Sequence, residues 1–153
     1  MNLESLPKVG DELVTVAGGE QQFAIDIMSV REIRGWHAST PLPNAPPNFL
    51  GMINLRGVIL PVIDLSTRLG LGAAQLSASS VVIVVQIEER QVGLLVDAVC
   101  DILRLTEGMI QDPPDVGMAP DGHLVQGVMT TDDGIIGLLA LDRIVPPELE
   151  AAA

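Results

Sequence analysis

The chain has 153 residues, a formal net charge of −12 and only 2% aromatic residues, so it offers neither a basic groove nor a stacking platform for nucleic acid. An anionic membrane surface would repel it. Apolar runs such as Val81–Val85 are strand-sized, and none reaches the ~18 residues of a spanning helix, so no membrane insertion is expected.

The length suits one compact domain, and the 48% hydrophobic content suits a Val/Ile/Leu-rich core with aliphatic surface left for other proteins. The N-terminal "MNLESLPKVGDE" has neither a basic region nor an apolar core, so no secretory signal is expected and the cytoplasm is the default location. One cysteine, Cys100, permits no internal disulfide.

The elements follow in chain order. "DELVTVAGGEQQFAIDI" reads as two strands around a Gly18-Gly19 turn, with Phe23, Ile25 and Ile27 alternating against Gln22, Ala24 and Asp26. "SVREI" reads as a short helical turn, where Ser29 and Glu32 have capping-box spacing. "HASTPLPNAPPN" is a proline-rich loop. "LGMINL" and "VILPVIDL" form a hairpin pivoting on Arg56-Gly57, and Pro61 belongs at an edge or a bulge because it cannot donate to a ladder.

Residues 66–79 read as a flexible linker. Its GxG, Gly70 and Gly72, has no third glycine and opens no helix, so it is no phosphate cradle. "SVVIVVQIEERQVGLLVDAV" is a hairpin turning at Glu88–Arg90, and "DAVCDI" continues it as an apolar-periodic turn. "GMIQDPPDVGMAPDG" is a second proline- and glycine-rich loop. "LVQGVMTTDDGIIGLLAL" is the last hairpin, turning at Asp132–Gly134, and "LDRIVPPEL" is a short helical end.

The two halves repeat. "QQFAIDIMSVREI" aligns without gaps to "RQVGLLVDAVCDI", matching Ile27 to Val96, Val30 to Val99 and Ile33 to Ile102. "LGMINLRGVI" aligns to "QGVMTTDDGII" with one extra turn residue. The pattern predicts an all-β, antiparallel fold of two small barrels sharing a core. Barrel 1 would cover roughly 11–65, barrel 2 roughly 80–141, and a helical end 141–149.

Catalytic chemistry finds little purchase. His37 and His123 lie in proline- or glycine-rich loops, and Cys100 reads as a half-buried inert thiol. The pairs Asp112/Asp115 and Asp132/Asp133 fall where turns already favour aspartate. Arg56, an isolated charge within "NLRGVILPVIDL", is either a solvated turn tip or the charged element of a binding surface.

At "IDIMSVREIRG", "NLRGVILPVIDL" and "VVIVVQIEERQVGLLVDAV" the chain resembles the CheW-like family of bacterial chemotaxis coupling proteins, from about Glu12 to Leu149. The resemblance implies two intertwined five-stranded SH3-like β-barrels, no catalysis, no cofactor and no metal. It implies an adaptor linking the tip of transmembrane chemoreceptors to the CheW-like regulatory domain of the histidine kinase CheA, in the cytoplasm at membrane-associated arrays. Carried over by position, a receptor-binding groove would include Val30, Glu32, Ile33, Gly51, Arg56, Val99 and Ile102, with Arg56 paired to Glu32. Phe49 and Leu50 would contribute to kinase binding. Glu32 could instead cap its turn, and Val30, Val99 and Ile102 are also what a helical turn buries. Two other readings stay open: a barrel holding a small ligand in its interior, and an adaptor of a surface-motility kinase pathway.

Overall fold

The computed structural model describes residues 7–19, 21–36, 49–71, 77–87, 89–111, 124–131 and 134–144. The loop containing His37, most of the second proline-rich loop with Asp112, Asp115 and His123, and the pair Asp132/Asp133 lie outside the described residues.

Eleven strands are described: β1 (Glu12–Gly18), β2 (Gln21–Asp26), β3 (Val30–Gly35), β4 (Phe49–Leu55), β5 (Val58–Asp64), β6 (Val81–Ile87), β7 (Arg90–Val96), β8 (Ala98–Arg104), β9 (Ile110–Gln111), β10 (Val125–Thr131) and β11 (Gly134–Leu139). Two single helical turns, α1 (Leu65–Arg68) and α2 (Leu141–Ile144), accompany them. The fold is all-β, and each of its two sheets is built on five long strands. One runs β8-β1-β2-β11-β10 with the two-residue β9 added; the other runs β3-β6-β7-β5-β4.

The repeat is visible in that order, since β8, β1, β2, β11, β10 correspond one by one to β3, β6, β7, β5, β4. Neither sheet is confined to 11–65 or to 80–141. The first takes β1 and β2 from the N-terminal half and the rest from the C-terminal half, and the second mixes them in the opposite sense. Nor is the pairing antiparallel throughout: β2–β11 and β5–β7 are parallel. The parallel contacts arise because each sheet joins hairpins from different halves, with no tight turn between them to impose reversal.

Alternation along the central strands sorts side chains into three cores. Val14 and Val16 of β1, Phe23 and Ile25 of β2, Ile83 and Val85 of β6, and Val92, Leu94 and Val96 of β7 form one shared core with Ile63, Leu65, Leu139 and Ile144. The opposite faces fill the barrels. Leu13, Ala24, Leu105, Met129, Ile136 and Leu138 fill one, and Leu55, Leu60, Val62, Val82, Val84 and Leu95 fill the other. Strands covered on both faces read as continuous apolar runs, which explains "VVIVV".

Three local expectations are corrected. "SVREI" and "DAVCDI" are not helical turns but contain β3 and β8. Ser29 does not cap with Glu32; it ends a single 3-10 turn, Ile27–Ser29, whose cap is Asp26, with Met28 N donating to Asp26 Oδ1 at 3.0 Å. The linker's front end is ordered: Asp64 caps α1, accepting from Ser66 N at 3.1 Å and Thr67 Oγ1 at 2.7 Å, and Leu65 is fully buried.

Leu55 pairs with Val58 across the Arg56-Gly57 turn, and Thr131 pairs with Gly134, which leaves the same number of positions between β10 and β11. The repeat therefore needs no extra turn residue, and Ile59 corresponds to Ile135. Pro61 pairs with Met52, while the β7 ladder covers only Val62–Asp64, so Pro61 occupies a part of β5 with a neighbour on one side.

The parallel crossing of β5 and β7 demands a small residue. Gly93 pairs with Val62, and a Cβ added there would lie 2.8 Å from Val82 Cγ1 and 3.3 Å from Val62 Cγ2. The corresponding position in the other sheet is Ala24, fully buried. Gly93→Ala is expected to destabilise the fold by about 1–3 kcal/mol through overpacking, read from urea unfolding midpoints. Wild-type stability would show that β5 and β7 can separate without cost.

Candidate functional site

The expected groove residues divide by strand face. In β3, Val30 pairs with Val85 and Glu32 with Val84, with a register shift between them. Arg31 is thus the extra residue of a β-bulge, and a bulge re-aims the side chains that follow it. Directly paired residues share a face, so Val30 and Ile33 point to the shared-core side with Val85 and Ile83, whereas Glu32 and Arg34 point to the barrel side with Val84 and Val82.

β8 repeats the device. Val99 pairs with Val16, Asp101 with Thr15 and Ile102 with Val14, and Cys100 is the extra residue of the bulge, exposed rather than half-buried as its sequence position suggests. The Thr15 hydroxyl fastens it, accepting from Asp101 N at 2.9 Å and donating to Asp101 O at 3.2 Å. Val99 and Ile102 therefore sit on the shared-core side too. Ile33 and Ile102 remain 46% and 51% exposed, an apolar fringe on the end strand of each sheet.

The ion pair lies on the other face of β3. Arg56 donates from Nη2 to Glu32 Oε2 at 2.7 Å and from Nη1 to Glu32 Oε1 at 3.3 Å, a two-pronged contact. The strand order puts β3 and β4 at opposite ends of their sheet, so this contact joins the two ends and requires the sheet to curl. Trp36, just past β3, and Leu50 and Ile53 of β4 each pack against the barrel core.

The β4–β5 turn explains how Arg56 reaches back. Arg56 has φ 51° and Gly57 φ 88°, the two positive values of a type I′ turn, and Gly57 N donates to Asn54 Oδ1 at 2.9 Å. Among the described residues Arg56 alone has positive φ without being glycine. Such turns favour Asn, Asp or Gly, so an arginine there accepts backbone strain. Its guanidinium holds Glu32 below the ordinary glutamate range, with a hydrogen bond from Arg34 helping and desolvation opposing. Glu32 in turn holds Arg56 further into its charged form.

Gly51, buried at the β4 bulge with φ 154°, is accounted for by its backbone. Leu50 is half-buried against the barrel core, and Phe49 opens β4 opposite Ile63. Sequence reasoning missed Arg34, whose Nη1 donates to Glu32 Oε1 at 2.9 Å. The i, i+2 spacing of a strand signals that neighbour, whereas a helical reading turns the two apart. It also missed Val58, Ile59 and Ile135, which are exposed at the hairpin ends.

The model of the CheW-like domain matches residues 12–148. The chain belongs to the CheW-like family. It is 46% identical over 144 residues to the chemotaxis protein CheW of Rhizobium meliloti, covering 94% of this chain and 93% of that protein. It is 32% identical to the chemotaxis protein CheW of Klebsiella aerogenes, covering 92% and 84%. The crystal structure of the scaffolding protein TtCheW from Thermoanaerobacter tengcongensis superposes with a TM-score of 0.77 at 35% identity, over 85% of this chain and 88% of that one. The CheW-like chain here keeps the intertwined two-sheet architecture, and it is a chemotaxis adaptor.

Because Glu32's folded-state pKa is depressed, the stability it contributes is present above its unfolded value and is lost as pH falls through the folded one. Carboxyl NMR should show Glu32 titrating below the ordinary glutamate range, and Arg56→Ala should raise the midpoint. Any stability gap between wild type and Arg56→Ala at neutral pH should close on acidification through that midpoint. A midpoint unmoved by Arg56→Ala would remove Arg56 as its main cause.

Proposed function

We propose that this adaptor couples the cytoplasmic tip of chemoreceptors to the CheW-like regulatory domain of the histidine kinase CheA, without catalysis or cofactor, at membrane-associated arrays. Among the described residues no helix is long and apolar enough to cross a membrane. Val30, Ile33, Val99 and Ile102 form the apolar receptor-docking surface. Glu32 and Arg56 clamp β3 from behind, Gly51 shapes β4, and Phe49 and Leu50 contribute to kinase contact.

The observation that carries the reading is Arg56 in left-handed backbone, gripping the strand whose other face presents Val30 and Ile33. Burial of aliphatic side chains would supply most of the affinity and the ion pair the orientation. The small-ligand alternative fares worse, because both barrel interiors are filled by side chains. The pocket of about 220 Å³ at Pro7, Val9, Leu105 and Ile110 is open to solvent, and of these four residues only Leu105 is buried.

Arg56→Asn gives the turn the residue it prefers. Its melting temperature should equal or exceed wild type, while receptor-tip binding weakens. Glu32→Ala should weaken binding similarly, and the double variant should be little worse than either single. Additive losses, or wild-type binding in Arg56→Asn, would return Arg56 to the status of an ordinary turn residue.

Kinase binding is a separate expectation. Calorimetry with the CheA regulatory domain should give a dissociation constant at or below tens of micromolar, on the order of a modest specific interface, and Phe49→Ala should weaken it. No heat of binding at that concentration would defeat the kinase assignment while leaving the receptor surface standing.

A further inference from the structure

Glu32 serves two arginines, and both reach the same oxygen. Arg34 Nη1 donates to Oε1 at 2.9 Å, Arg56 Nη1 reaches Oε1 at 3.3 Å, and Arg56 Nη2 takes Oε2 at 2.7 Å. The stronger Arg56 contact is thus the one to the oxygen that Arg34 leaves open.

The two arginines are held very differently. Arg34 lies in β3, two residues from Glu32 on the same face, with its backbone registered against Val82 of β6. Arg56 sits at a turn tip with a side chain 72% exposed, against 24% for Glu32. An exposed arginine is a poor anchor by itself, because water competes for its donors and holding it costs side-chain entropy. A carboxylate already fixed at one oxygen removes part of that cost.

We propose that Arg34 is a positioning residue of the coupling site, fixing Glu32 Oε1 against β3 so that Oε2 is presented to Arg56. The triad spans the closure of the barrel: the β3 side holds the carboxylate, and the β4–β5 turn closes onto it. Through that closure Arg34 sets the placement of β3 and of Val30 and Ile33 on its far face. Only the binding arm of the test rests on the receptor-docking reading.

Carboxyl NMR of Glu32 in wild type, Arg34→Ala and Arg34→Lys decides the positioning role. Arg34→Ala should raise the Glu32 midpoint toward the ordinary range, and Arg34→Lys, which keeps a donor and the charge, should restore part of the shift. Binding of a chemoreceptor's cytoplasmic tip should weaken roughly three- to tenfold in Arg34→Ala, and the same substitution added to Glu32→Ala should cost nothing further. A Glu32 midpoint that ignores Arg34→Ala overturns the proposal. So does an equal loss of binding in the Glu32→Ala protein, which would make Arg34 a direct contact to the partner. If Arg34→Ala fails to fold, Arg34→Gln carries the titration. If wild type does not bind the receptor tip, the docking reading fails while the titration still decides Arg34.

Discussion

The structure depends on four central strands whose middles are buried on both faces. β1, β2, β6 and β7 send alternate side chains into a barrel and into the core between the barrels, so Leu13 and Val14, or Val82 and Ile83, are neighbours in sequence but belong to different cores. A strand of that kind cannot face water on either side. It must be covered by another sheet, and the covering sheet here comes from the same chain. The exchange of β3 and β8 between sheets follows: each half supplies a strand that the other half's hairpin needs. Neither half alone buries its own apolar surface.

Edges of such sheets are where function can be placed, because the central strands have no free face. The two bulges make the edges usable. With Arg31 and Cys100 as extra residues, positions three apart, Val30/Ile33 and Val99/Ile102, come to share the face that borders the common core. The intervening Glu32 is turned to the opposite face, where Arg56 and Arg34 meet it. One inserted residue thereby separates an apolar, partly exposed face from the ion pairs behind it. It also places them on the same short strand.

The same insertion explains what was and was not legible in the sequence. Hairpins with clear turns, Arg56-Gly57 and the one before Gly134, were readable because two-residue turns between apolar runs leave a strong local mark. The Glu32–Arg56 pair was readable only through the family likeness, since the two residues lie 24 positions apart in unrelated sequence. β3 and β8 were misread as helical turns for a physical reason. A bulge gives a strand the i, i+3 apolar spacing that belongs to a helix, and no local residue announces it. Arg34 was lost with that misreading. The mixing of halves within each sheet was equally hidden, because the repeat says that two units are alike and not which strands they trade.

The repeat is geometrically close, yet its chemistry is one-sided. Glu32 corresponds to Asp101, Arg34 to Leu103, and Arg56 to Asp132. On the second barrel, then, the carboxylate has no arginine at either matching position, and Asp101 is held through its backbone by the Thr15 hydroxyl. At the position matching Thr15 the other sheet has Val84, which offers no such bond, and there the carboxylate side chain is tied by two guanidiniums. The sheet ends differ accordingly. The first sheet is extended by backbone pairing of β9 with β10, whereas the second has its end strands joined by side chains. Side-chain closure depends on charge and on the turn that carries Arg56. Backbone pairing does not. A pseudo-symmetric scaffold thus acquires one distinguished end, which an adaptor needs in order to present different faces to different partners.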